Sequence, residues 1–505
     1  MHFAAIDWLI VVGYLMLSVA VGLLGKKYIG NVSHYLVAGR ELGLHVGIAT
    51  LAATEIGTIT FMYNGELGYK YGFAAFAAAL ISGLVMIVVG RTGLVVVRFR
   101  ALKLMTVPEY FERKYSRGLR LFAGVLVALG GILNMGVFLK IEGEFLMIVS
   151  GIDTRYLIAV MTAILLLELL YTVVGGMVAV VITDFVQYVL LSVATILVSI
   201  YAIYHAGWDQ IVAKVSTTMG SAGFNPIENP KFGLTFLIWQ VLLWFSIHTC
   251  WQTTAMRVFS TKGPDISKRV MTWTGFIYLG RGMLPMLWGA AALTLFGVGA
   301  VRNGVPLPVV NGQTLAPIDA MPAMLANILG PGIKGIVVAG MLAATMSVNS
   351  SYLLGWSAVI SQDIILPIRE QIGKKPLSSR SQIFVNRLAN LFVGLFLMFW
   401  GLYYTPPGAV YLYLNITGTI YLAGTFICVI GGLYWKRANT AGGYLAMLMG
   451  AAGAIVPFFF LHWSENITGF AAFGLAALGL VLGSLRGKGF RQPRQAVNPA
   501  LGEAE

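Results

Sequence analysis

The sequence predicts an all-α polytopic membrane protein, and three observations predict it. Of its 505 residues, 58% are hydrophobic and only 11% are charged, where a soluble domain carries about 25% charged residues. Apolar runs of roughly 20 residues, enough to cross a hydrocarbon core of about 30 Å, recur from Trp8 to the neighbourhood of Leu485. Basic residues gather in alternate loops. Because lipid offers no partner for a bare backbone group, runs of this length span as helices and not as an open sheet.

Thirteen candidate spans follow in order, near 7–25, 46–65, 73–97, 122–148, 156–174, 177–205, 233–256, 270–298, 334–360, 388–405, 409–435, 441–462 and 467–485. The first has Asp7 before it and Lys26-Lys27 after it with no small-residue cleavage site, so it reads as a retained span and not a signal peptide. With the N-terminus outside, 25 of the 34 Lys and Arg residues fall in inward segments, among them Arg257, and six fall outward. That bias sets the N-terminus outside and the C-terminus inside. It also accounts for the formal charge of +14, and the loops lack the aromatic-interleaved basic patch of a nucleic-acid reader. Cys250 and Cys428 sit far apart in apolar runs and read as small core residues without a disulfide.

Ionisable side chains inside a bilayer are costly and are functional candidates by default. Glu55 lies in ATLAATEIGTITFMYNGELG, where Gly57, Gly65, Thr54, Thr58, Thr60 and Asn64 weaken the helix and supply oxygens. The stretch predicts a broken helix whose freed carbonyls coordinate a dehydrated cation; a polar packing seam is the alternative. In GVFLKIEGEFL, Lys140 and Glu144 share a face while Glu142 points elsewhere, which leaves an internal ion pair or contact with a solute or proton both open. Asp184 follows a Gly-Gly bend and faces either cytoplasmic water or the bundle; Glu168 and Arg281 are lone charges of the same kind. Trp244, His248 and Trp251 recur on one helical face, with Gln252 adjacent, as packing or as a ligand box around a titratable ring. Along MLAATMSVNSSYLLGW, Ala344, Ser347 and Ser351 share a face beside Ser350, either for close helix approach or as a cation site opposite the helix of Glu55.

Five segments then occur in an order that resembles the solute:sodium symporters, nearest the bacterial proline and pantothenate branch: SHYLVAGR, KLMTVPEYFERKY, ELLYTVVGGMVAVVITDFVQ, LAATMSVNSSYLLGWSAVISQDI and GGLYWKRANTAGGYLAML. The resemblance implies ten core helices in two inverted five-helix repeats with broken first and sixth core helices. It divides the chain into a first extra span and loop at 1–45, a first repeat at 46–205, a second at 206–435, two extra spans at 436–485 and a cytoplasmic tail at 486–505. It implies sodium held by backbone oxygens of Ala53 and Ile56 and by Ala344 and Ser347, a carboxylate at Glu55 serving sodium or a proton, and Asp184 at a further cation site. Where the family usually has a second hydroxyl, this chain has Val348. Weaker sodium binding, use of Ser350 or Ser351 instead, and replacement by protons all follow from that departure. The implied solute cavity takes in Thr58, Thr60, Lys140, Trp244, His248, Trp251 and Gln252. The sixth core helix of the family usually breaks at Gly or Pro, and 240–256 has neither.

The function these features predict is cation-coupled symport of a small solute into the cell by alternating access, with sodium as the coupling ion, a proton as the alternative, and no cofactor. Lys140, His248 and Arg281 lean the solute toward a carboxylate. The expected partners are the solute, sodium and membrane lipid, with no nucleic acid and no obligate protein partner. A membrane enzyme would need a nucleophile with its base or a metal-ligating cluster, which six scattered histidines and two lone cysteines do not supply. A sensor would need an output domain, and about twenty residues follow the last span.

Overall fold

Long apolar runs form helices throughout, and the interruptions fall where the chain carries polar residues or glycine. The structure, a computed structural model, describes residues 3–302, 305–310, 312–405 and 410–485; the tail at 486–505 lies outside the described residues. The principal helices are α1 (Ala5–Leu24), α2 (Leu44–Glu55), α3 (Thr58–Tyr71), α4 (Phe76–Thr92), α5 (Val107–Lys114), α6 (Arg117–Met135), α7 (Phe138–Ser150) and α8 (Leu157–Ala206). There follow α9 (Gly233–Cys250), α10 (Gln252–Ser260), α11 (Pro264–Leu295), α12 (Ile333–Val359), α13 (Ser379–Tyr403), α14 (Val410–Tyr434), α15 (Thr440–Ile455) and α16 (Glu465–Leu485).

Eleven helical stretches among the described residues are long and apolar enough to cross a membrane, against thirteen read from the sequence. The difference lies in two places. The segment read at 46–65 is split into α2 and α3, and α3 runs on through one short turn into α4. The segments at 156–174 and 177–205 form the continuous α8, whose 50 residues would reach about 75 Å, more than twice the bilayer core. A bend at Gly176 (φ 50°, ψ −149°) folds α8 back. Only glycine suits that backbone, and a Cβ there would press within 2.6 Å of the Tyr35 carbonyl oxygen.

The bundle closes through glycine seams. α11 lies against α3 and α4 so tightly that a Cβ on Gly68 would overlap the Met286 carbonyl and one on Gly289 the Gly65 carbonyl. Small residues permit this approach where lipid supplies no hydrophobic drive between helices. The buried Asp7 carboxylate accepts from Ala4 N (2.9 Å), Gly332 N (2.7 Å) and Gly335 N (2.8 Å), so one side chain caps both α1 and α12 and ties the extra helix to the core. One departure from the all-α expectation is a small antiparallel sheet between α11 and α12, with strands β1 (Gly297–Arg302), β2 (Val305–Val310) and β3 (Gln313–Thr314) in the order β1-β2-β3.

Candidate functional site

Two helix breaks face each other in the middle of the bundle. After α2, Ile56 (φ −112°, ψ 81°) and Gly57 leave the helical conformation before α3 begins. The second break lies between α9 and α10, at Trp251 (φ −66°, ψ 124°), although neither Gly nor Pro marks it. Tertiary contacts supply what local sequence does not. The Trp251 amide donates to Ile247 O (3.0 Å) and its carbonyl accepts from Ala255 N (2.8 Å), so one residue ends α9 and starts α10. Its indole donates to the Tyr352 hydroxyl (3.1 Å) and stacks on Tyr421, the ring centroids lying 5.6 Å apart.

Glu55 ends α2, where a negative charge opposes the helix dipole, and lies against the first turn of α10, where it complements one. Its Oε1 accepts from Thr253 (3.1 Å) and Thr254 (2.7 Å). Beside it opens a cavity of about 660 Å³, a figure that includes its mouth. Its lining includes the polar and aromatic residues Glu55, Thr60, Trp244, Trp251, Arg281 and Asn415, with apolar side chains such as Val348 between them.

Arg281 projects into this space from α11. Its guanidinium lies over the ring of Tyr278 at 4.4 Å and near Trp244 at 5.9 Å, and reaches the Thr60 hydroxyl at 3.5 Å. No carboxylate among the described residues forms an ion pair with it. Among the described residues, the buried Arg281 Nε of this wall has no hydrogen-bond acceptor.

A second cluster of polar side chains lies within the bundle. Asp184, fully buried on α8, accepts from Thr50 Oγ1 (2.5 Å) and Ser347 Oγ (2.6 Å) and forms an ion pair with Arg257 Nη2 (3.2 Å). The same guanidinium donates to Ser351 Oγ, which is 3.1 Å from Thr54 Oγ1. Asp184 therefore faces the bundle and not cytoplasmic water. Arg257, counted from sequence among the loop charges, is 1% exposed and belongs to this cluster. A carboxylate with several hydroxyls is a hard-oxygen set suited to a small cation, and here a guanidinium stands among them.

The other sequence-derived candidates fall in distinct places. Ala53 O accepts from Ile56 N (3.3 Å) at the first break. Ala344 is buried on α12, and Ser350 Oγ donates back to Ser347 O (3.1 Å). Val348 faces the break: a Cβ on Gly57 would come within 2.9 Å of its Cγ2, so a methyl stands where a second hydroxyl was looked for. Thr58 is turned to Met341 O (2.6 Å). Lys140 reaches Thr405 Oγ1 (3.0 Å) near the surface, Gln252 accepts from Val107 N (3.0 Å), and His248 sits behind Trp244 with Nε2 at 3.0 Å from Ser82 O. None of these four lines the large cavity, whereas Thr60, Trp244 and Trp251 do. Sequence reasoning did not single out Thr50, Thr253, Thr254, Tyr352 or Asn415; the polar run QTTAMR directly after the second break was the available signal for two of them and for Arg257.

Residues 35–450 match the family described as the sodium:solute symporter family. The chain is 26% identical to the high-affinity proline transporter of Bacillus subtilis over 90% of this chain and 93% of that protein. It is 24% identical to the sodium/pantothenate symporter of Haemophilus influenzae over 84% of each. Among solved structures, a Na+-coupled sialic acid symporter in a substrate-bound outward-open state superposes with a TM-score of 0.81 at 20% identity, covering 97% of this chain and all of that one.

Proposed function

This chain belongs to the sodium:solute symporter family, and from that premise we propose that its solute is a small carboxylate bound between Arg281 and Asn415. It is a multi-pass secondary transporter that couples solute uptake to sodium by alternating access, and not an enzyme. The observation that carries the solute class is the Arg281 guanidinium, which belongs to the cavity lining and forms no ion pair among the described residues. Buried donors without acceptors are costly, and a carboxylate satisfies a guanidinium through two parallel bonds. Trp244 and Trp251 offer flat apolar walls for the rest of the molecule, and Thr60 a hydroxyl. Proline and pantothenate, after which two relatives are named, both carry a carboxylate. Glu55 lines the same cavity, and its charge favours a solute that brings a cationic or hydrogen-bond-donating group as well.

For the coupling ion, we place sodium between the first break and α12, with backbone oxygens of Ala53 and Ile56, the Ala344 region and Ser347 on one side, and Asp184, Ser350 and Ser351 deeper. Ser347 Oγ already touches Asp184 at 2.6 Å, which puts the two proposed ligands side by side. Sodium entering this set draws α2 and α12 together and favours the outward-open state, raising solute affinity there. Proton coupling is the second reading, supported by the methyls of Val348 at the break and by the guanidinium already paired with Asp184. The N-terminus is taken as outside, the C-terminus as inside, and the membrane as the cell membrane.

The test is thermal stabilisation of the purified protein by a panel of carboxylates, neutral sugars and amines, each in sodium and in potassium, because a ligand of the folded state raises its apparent stability. A rise with carboxylates that requires sodium is expected. A rise with uncharged sugars alone rejects the carboxylate reading, and a rise equal in both salts rejects sodium as the coupling ion.

A further inference from the structure

On α12, two residues beyond Ser347, Asn349 turns the other way. Its Nδ2 donates to Glu142 Oε2 (2.7 Å) on α7 and to Glu168 Oε1 (3.0 Å) on α8. The two accepting oxygens therefore lie within about 5.7 Å of each other, the combined length of those bonds. Glu142, Glu168 and Asn349 are each 1% exposed or less. Their other oxygens, Glu142 Oε1, Glu168 Oε2 and Asn349 Oδ1, have no hydrogen-bond partner among the described residues. Thr172, one turn from Glu168 on the same face of α8, is fully buried, and its hydroxyl is also unpartnered, not bonded back to its own helix as buried helical threonines usually are.

Charge balance makes this group unlike the rest of the bundle. Asp184 is paired with Arg257, Asp363 with Arg120 and Glu66 with Lys70. Around the two glutamates, Tyr14 of α1 and Tyr171 of α8 are the ionisable neighbours of Glu168, and neither is a cation. Tyr14 and Tyr171 are turned to Met346 of α12. On α7 itself, Lys140 points away to Thr405. Arg387 of α13 donates to Val174 O (3.1 Å), and Lys334 of α12 to Ala326 O (2.9 Å). Glu55 is held by Thr253 and Thr254. No cation among the described residues touches either carboxylate. Two carboxylates that share one neutral amide in a dry, low-dielectric site cannot both remain ionised, and such pairs titrate as a unit.

We propose that Glu142 and Glu168, bridged by Asn349, form a proton-binding site that retains a shared proton at neutral pH. The bare oxygens then act as donor and acceptor: the protonated carboxyl gives the pair the hydrogen bond it lacks, with Thr172 as a further partner. Because Asn349 belongs to the helix that carries Ser347, Ser350 and Ser351, any movement of α12 against α7 and α8 opens the bridge and exposes the proton to exchange. The inference is independent of solute identity and of sodium at Asp184.

The experiment is infrared difference spectroscopy of the full-length protein in detergent across pH, with the proton as the only ligand and with sodium or choline as the salt. A carbonyl stretch of protonated carboxylic acid is expected at pH 7, shifted by deuterium exchange, unaltered between the two salts, altered in frequency in each of Glu142→Gln and Glu168→Gln, and lost in the double variant. No such band in the wild type, a band unchanged in both variants, or a band removed by sodium overturns the proposal; the last outcome makes the site a sodium site. Absence of the band from the wild type overturns the proposal even where a variant fails to fold. A failed solute screen leaves this result untouched.

Discussion

The two faces of α12 treat buried acids in opposite ways. Ser347 donates to Asp184 and Ser351 accepts from the guanidinium paired with it, so every charge there has its counterpart. Asn349 meets Glu142 and Glu168 with no cation, and acceptors outnumber donors. A buried acid with a counter-charge is a stable ion pair open to exchange for another cation, whereas an acid without one holds its proton instead. The cavity near Arg281 completes the contrast, because there Arg281 and Glu55 line one space without forming an ion pair with each other.

Removing the counter-charge is the strongest way to break this contrast. Arg257→Gln strands Asp184 in a fully buried site, and loss of about 3–5 kcal/mol of stability is expected, read by thermal or denaturant unfolding; adding Asp184→Asn to it recovers part of the loss. An Arg257→Gln protein as stable as the wild type would remove charge pairing as the distinction between the two faces. Next in size, Arg281→Gln should weaken binding of a carboxylate solute by about 2–5 kcal/mol with little change in unfolding, measured by calorimetry or stabilisation. Equal affinity for the solute in both proteins would mean that Arg281 serves packing against Tyr278.

A smaller effect sharpens the assignment of Ser347. Deleting a hydroxyl that bonds a charged group costs about 1.5–3 kcal/mol, so Ser347→Ala should lower sodium affinity by roughly tenfold or more, followed by the sodium dependence of uptake. Unchanged dependence takes Ser347 out of the cation site. The smallest lies in a loop outside the spans. Burial first, then nearby Glu144 and Glu66, pushes the Asp319 carboxyl up to about 6 from 3.8. Its folded state holds the proton more tightly than the unfolded chain, so its stabilising contribution is full below the unfolded value and is lost as pH rises toward 6. Asp319→Asn should flatten the melting temperature across that window, and an identical slope in both proteins would place the titration elsewhere.

Much of this was legible in the chain. Runs of apolar residues declared the spans because a bilayer imposes length and backbone pairing on each segment separately. Gly57 and Glu55 announced the first break, and Asp184, Ser347, Trp244 and Arg281 stood out as polar or aromatic residues in places that charge them dearly. The second break was not legible. Trp251 leaves the helix because Tyr352 and Tyr421 hold its ring, and both lie at least a hundred residues away along the chain. Lys140 and His248 looked like cavity residues, yet their helices turn them to Thr405 and Ser82.

What the sequence by itself determined is the polytopic helical class, the first break and the family, since each depends on the order of neighbours along one segment, while the count of thirteen spans became eleven. Tertiary structure alone decided which charges are paired. Arg257 reaches Asp184 across 73 positions and Asn349 reaches Glu142 across 207. Whether a buried acid finds a cation, an amide or a bare cavity depends on the rotation of helices about one another, a geometry that no single segment encodes.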